Sequence, residues 1–314
     1  MSFSLEVKEE LSKHIGSSRH CRLAEIAAII DGAGYIRKAE NGEITLYLQD
    51  DNTLVVRKFF TLLKKAFNIG TSILEGVPNI KENGRIYRPV VTDQKAIHSV
   101  LGAIRMIDQD SIIRDISDGI SRQVTRNSCC KRAFLRDSFM CIGSISDPNK
   151  GYHLEFVCTT QSQAEGLQEM IESFDIKAMI VRRKKYFVLY IKEGSGIVDL
   201  LNIMEAPVSL MNLENLRIVK EMRNSINRRV NCEVANITKT VNAATKQIED
   251  ITYLRDHYGF ENLHVNLREM AEVRLEHPDA TLMELGQFLD PPVGKSGVNH
   301  RLRKLSELAD KIKG

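Results

Sequence analysis

Residues 295–304, KSGVNHRLRK, bring Lys295, Ser296, Gly297, Asn299, His300, Arg301, Arg303 and Lys304 together, and no acidic residue occurs between positions 291 and 304. An Asn side chain can pair bidentately with adenine and an Arg with guanine, while Lys and Arg hold phosphates. The chemistry these residue types offer is recognition of double-stranded DNA, with Asn299 and Arg301 as base readers and Lys295, Arg303 and Lys304 on the backbone. Two further cationic groups lack acids. Residues 121–136 carry Arg122, Arg126, Lys131, Arg132 and Arg136, and a second group comprises Lys177, Arg182, Arg183, Lys184 and Lys185, just before the apolar run YFVLYI. Long cations on a strand edge or turn can reach phosphates; a solvated turn is the alternative.

The elements that must position the first set are helices. An apolar helical pattern through Leu267, Met270, Ala271 and Leu275 stops before Pro278, because the residue before proline disfavours helical angles. Thr281 and Glu284 form a capping-box pattern ahead of Leu282, Leu285, Phe288 and Leu289. After DPPVGK, Ser296 is suited to cap a third helix, with Val298, Leu302, Leu305 and Leu308 or Ala309 inward. Three helices so punctuated predict a helix-turn-helix, with the start of the last helix in the major groove. The turn between the last two carries two prolines and exceeds the usual length. A helical hairpin with a solvated basic face is the alternative.

Upstream, the chain repeats itself. Residues 135–145, LRDSFMCIGSI, align with residues 23–36, LAEIAAIIDGAGYI, at an offset of 109 that sets Ile142 on Ala33 and Gly143 on Gly34. At that offset EITLYLQDD meets YHLEFVCTT; two residues out of step, RIYRPVVTD is echoed by KYFVLYIKE. Helix, two strands, helix, two strands, helix therefore occurs twice. The expected class is α+β: two αββαββα halves over residues 1–229, a linker helix region over 230–258, and an all-α helix-turn-helix domain over 259–314. Gly32 and Gly34 are expected to end the first repeat helix near Ile30, and Thr71 to Leu74 to form a strand. A helix through Leu216, Val219, Met222 and Ile226 is expected to close the first domain, and residues 231–235 to separate it from the next helix. Paired halves suit the twofold symmetry of a duplex, gripping backbone or recruiting protein; a duplicated domain with no nucleic-acid role is the alternative.

Composition narrows the rest. A charge of +3 excludes a uniformly basic protein, so affinity for DNA must come from clusters. No apolar run approaches the roughly 20 residues that cross a bilayer, and the start MSFSLEVKEELSKH lacks a signal peptide's apolar core. A reduced, cytoplasmic and nucleoid-associated setting is expected, with no membrane partner, no small-molecule substrate and no cofactor. The cysteines include no CxxC pair, and adjacent Cys129 and Cys130, even with His20 and Cys21, do not match zinc spacing; no metal site is expected and the thiols are read as buried.

The nonapeptide IAAIIDGAG resembles the signature of LAGLIDADG homing endonucleases, which implies two signature helices packed side by side. In active members an acid from each signature holds divalent metal; here Ala33 and Ile142 stand at those positions, and neither can ligate Mg²⁺. Asp31 is paired in the repeat with Met140 and is read as a cap or turn residue rather than a metal ligand. Together with SFSLEVKEEL, CCKRAFLRDSFMCIGSISDP and KSGVNHRLRKLSELA, the chain is identified as resembling the WhiA family of bacterial regulators. That resemblance implies a non-catalytic DNA-binding transcription regulator, with protein partners in transcription or division, acting in sporulation, cell division or chromosome segregation.

Overall fold

Ser2 accepts a hydrogen bond from the Leu5 N–H and so starts α1 (Phe3–Lys13), whose Val7 and Leu11 bury one turn apart. The computed structural model describes residues 2–49, 52–70, 78–82, 84–107 and 121–314. Its contacts divide the chain into two units, Met1–Val219 and Lys220–Gly314.

In the first unit the repeat is explicit. One half runs α2 (Arg19–Ala33), β1 (Gly34–Lys38), β2 (Ile44–Gln49), α3 (Thr53–Phe67), β3 (Ile80–Glu82), β4 (Arg85–Val91), α4 (Gln94–Ala103). The other runs α5 (Ser128–Ile142), β5 (Gly143–Ile145), β6 (Leu154–Cys158), α6 (Gln161–Glu172), β7 (Met179–Arg183), β8 (Tyr186–Ile191), α7 (Gly194–Ile203). Each half folds one antiparallel sheet in the same order, β1-β2-β4-β3 and β5-β6-β8-β7. Alternation on β2 turns Ile44, Leu46 and Leu48 inward, and on β6 Leu154, Phe156 and Cys158. The strand expected over Thr71 to Leu74 lies outside the described residues.

Helices α2 and α5 pack against each other, and most of both is buried. Here one local expectation is corrected: α2 continues through Gly32 to Ala33 and ends at Gly34. Gly32 does not stop the helix. A Cβ there would stand 2.7 Å from Cys141 Cβ on α5, so the missing side chain lets two backbones approach.

A second correction concerns α8 (Pro207–His257), a single helix of 51 residues with no break at 231–235. RRVNCEVAN contains neither proline nor glycine, and the propensity cost of its Asn and Val residues is only tenths of a kcal/mol each. Nor do Val219, Met222 and Ile226 close the first core: they are exposed, and Leu213 is the buried residue.

The second unit packs Ile251 and Leu254 of α8 with α9 (Val265–Glu276), α10 (Leu282–Gln287) and α11 (Lys295–Lys313). Thr281 and Glu284 complete the expected capping box. Ser296 does not cap α11; Gly294 takes that position, and Ser296 lies inside the first turn. The chain turns back tightly there: the Val293 N–H donates to the Gly286 carbonyl, and a Cβ on Gly286 would collide with the Val293 carbonyl. That contact fixes the start of α11 against α10.

Candidate nucleic-acid interface

Helix α11 separates its residues by face. Val298, Leu302, Leu305 and Ala309 are buried, while Lys295, Ser296, Asn299, His300, Arg303 and Lys304 are exposed. Gly297 is half-buried against Val293. Arg301 is also half-buried, and its guanidinium donates to the Asn266 carbonyl at the start of α9 over 3.4 Å, a long bond easily exchanged for another acceptor. Arg303 is paired with Glu307 one turn on, at 2.9 Å. The first two turns of α11 thus present amide, imidazole, guanidinium and ammonium groups from a helix held by its buried face. Behind them Arg274 is buried and donates to the Ala280 carbonyl at 2.7 Å, joining α9 to the turn before α10.

The other cationic candidates sit elsewhere, in the first unit. Arg182 and Arg183 end edge strand β7, and Lys184 and Lys185 form its turn into β8, with Lys184 in the left-handed region at φ 56°. All four are exposed; Arg183 pairs with Glu155 at 3.2 Å, and Lys185 lies over the Tyr186 ring. By contrast, Arg122, Arg126 and Lys131 line a cleft of about 460 Å³ with Asp31, Gln163 and Glu169. Arg122 is paired with Glu169 at 2.8 Å, Lys131 donates to Ser173, and Arg132 lies over the Phe174 ring. Arg122, Lys131 and Arg132 therefore address α6 and the residues after it rather than a sheet, and Arg126 lines the same cleft. Arg136, counted in the same basic stretch, is buried, with its guanidinium on Glu205 at 2.7 Å and 3.9 Å from Glu25.

At the C-terminal ends of α2 and α5, Ala33 is buried and Ile142 is half-buried; a Cβ on Gly32 would lie 3.5 Å from Ile142 Cγ2. Asp31, one turn position earlier, is neither cap nor turn: it lies within α2, buried, and its Oδ2 accepts a hydrogen bond from Gln163 Nε2 at 2.8 Å. Burial pushes its carboxyl up to about 6, against the opposing effect of that hydrogen bond. Sequence reasoning missed Gln163, the partner of Asp31, and the buried ion pair of Lys58 on α3 with Asp137 on α5, 2.9 Å apart, because nothing in their local spacing marks them as partners. Their contacts cross 79 residues in one case and 132 in the other.

Three family descriptions match this chain: WhiA N-terminal LAGLIDADG-like domain over residues 19–106, WhiA LAGLIDADG-like domain over 131–223, and WhiA C-terminal HTH domain over 226–309. A probable cell division protein WhiA of Lachnoclostridium phytofermentans is 52% identical over 317 residues, spanning all of both chains. The chain belongs to the WhiA family.

A WhiA relative in Alkaliphilus metalliredigens is 43% identical over 100% of this chain and 99% of its own. The crystal structure of full-length DUF199/WhiA from Thermatoga maritima shares the fold, with a TM-score of 0.58 at 23% identity over 99% of each chain. With its helix-turn-helix domain, the chain is a WhiA-like DNA-binding regulator. Within this WhiA architecture both LAGLIDADG-like halves are present and match the two sheets described above. No described helix is long and apolar enough to cross a membrane.

Proposed function

We propose that this chain is a non-catalytic, sequence-specific transcription regulator of bacterial cell division, chromosome segregation or sporulation, working on the nucleoid in the cytoplasm. The observation that carries the reading is the face of α11. Asn299 and His300 stand exposed on its first turns, next to Arg301, with Lys295, Arg303 and Lys304 around them and Val298 and Leu302 fixing the helix from below. Asn299 and Arg301 read bases, and the surrounding cations hold phosphates. Residues 230–258 join the LAGLIDADG-like unit to that reader. The first unit contributes through Arg182, Arg183, Lys184 and Lys185 at the tip of the β7–β8 hairpin.

The lack of catalysis rests on donor chemistry. A methyl group at Ala33 and a branched alkyl group at Ile142 supply no oxygen for Mg²⁺, and Asp31 is buried against Gln163. A supercoiled plasmid incubated with the full chain and Mg²⁺ stays supercoiled; nicking that an Asp31→Asn variant abolishes would overturn this.

One observation favours a second output. Val219, Met222, Ile226, Val230, Val234, Ile237 and Val241 are all exposed along α8, an apolar stripe suited to protein contacts. On this adaptor reading the chain delivers a partner to DNA. Genomic occupancy that fails to track expression changes would favour it over direct regulation.

A further inference from the structure

The two signature helices meet again at their other ends. His20 and Cys21 occupy the first turn of α2, and Cys129 and Cys130 the first turn of α5. His20 and Cys129 are 109 residues apart, so the two pairs stand at equivalent positions of the repeat. Packing of α2 on α5 brings them to one point. His20 Nδ1 lies 3.2 Å from Cys130 Sγ, 3.4 Å from Cys21 Sγ and 3.9 Å from Cys129 Sγ, and all four ligand atoms fall within 4.8 Å of one another. Among the described residues no other group of His, Cys, Asp and Glu is so placed.

We propose that His20, Cys21, Cys129 and Cys130 form a structural Zn²⁺ site that clamps the two halves of the LAGLIDADG-like unit together. With Zn–S near 2.3 Å and Zn–N near 2.0–2.1 Å, a tetrahedral ion needs ligand atoms roughly 3.6–3.8 Å apart. The observed separations bracket that range, so shifts of under about 1 Å close the shell. Three thiolates and an imidazole are the soft donor set that selects zinc over Mg²⁺ or Ca²⁺. Neither Ser18 nor Asn127 caps its helix with a side chain, so no capping side chain occupies the space beside the first turns. Buried Cys21 and Cys130 supply the inner wall, and exposed His20 and Cys129 leave an entry path. The usual zinc spacing has one local loop supply a pair of ligands. Here each helix supplies adjacent residues, and only the duplicated fold makes the set complete.

The test is a Co²⁺ titration of the reduced, metal-stripped full chain. The expected result is thiolate-to-cobalt charge transfer with tetrahedral d–d bands, saturating at about one ion per chain and displaced by Zn²⁺. Cys129→Ser and His20→Asn each change an exposed side chain, and circular dichroism verifies that both variants fold. Cys129→Ser should lose most of the saturable signal, His20→Asn should shift its bands, and Cys232→Ser on α8 should leave it intact. No charge-transfer band, or a signal that depends on Cys232 and survives Cys129→Ser, would overturn the proposal.

Discussion

Lys58 Nζ lies 2.9 Å from Asp137 Oδ1 with neither side chain reached by solvent, and so ties α3 of one half to α5 of the other. The ammonium also donates to the Leu11 carbonyl at 3.2 Å, bringing α1 into the same junction. Burial raises the Asp137 carboxyl, and Lys58 opposes that shift. Nearby, Glu25 accepts from the Gly16 N–H at 3.0 Å and is pushed up to about 7, chiefly by burial.

Breaking the pair from one side is costly. Lys58→Met should destabilise the first unit by about 3–5 kcal/mol, because Asp137 stays buried without its cation. Lys58→Met with Asp137→Leu should recover most of that loss. Urea denaturation of the three chains measures both.

Gly32→Ala tests the helix seam. The added methyl must enter space already held by Cys141, so about 1–3 kcal/mol of stability should be lost. Pairing it with Cys141→Ala should return part of the loss; an unchanged midpoint in the single variant would mean the helices can part freely.

Asp31 gives a pH signature. Its folded pKa of about 6 lies above the ordinary carboxylate value, so the folded state binds the proton more tightly. Stability from this group is complete below about pH 4 and declines as the pH rises through 6. Asp31→Asn should be more stable than the parent at pH 7.5, by about 3 kcal/mol at most, and the difference should vanish near pH 4. Thermal unfolding at the two pH values reads this, and the comparison cancels the separate titration of Glu25.

The sequence carried the architecture further than the site. The alternation of Ile44, Leu46 and Leu48 and the Thr281–Glu284 box are local patterns, and the repeat is a second copy of such patterns 109 residues on; both survive in one dimension. Charge type alone did not tell a solvated cation from a structural one. Arg136 reads like Arg132 in sequence, yet one is buried on Glu205 and Glu25 while the other lies exposed over Phe174. Gly32 reads like a helix stop because its true partner, Cys141, is 109 residues away on another helix. Residues 231–235 read like a break because exposed polar positions hide a helix that crosses them unbroken.

The central claim is that α11 reads base sequence. It is tested most directly by competition binding of the full chain to a fragment recovered by selection on that chain, against random DNA of equal length, at fixed salt. Arg301→Ala and Asn299→Ala should each weaken the selected fragment by about 1–3 kcal/mol while leaving random DNA nearly unaffected, so that specificity falls. Unchanged affinity for the selected fragment in both variants would contradict the account.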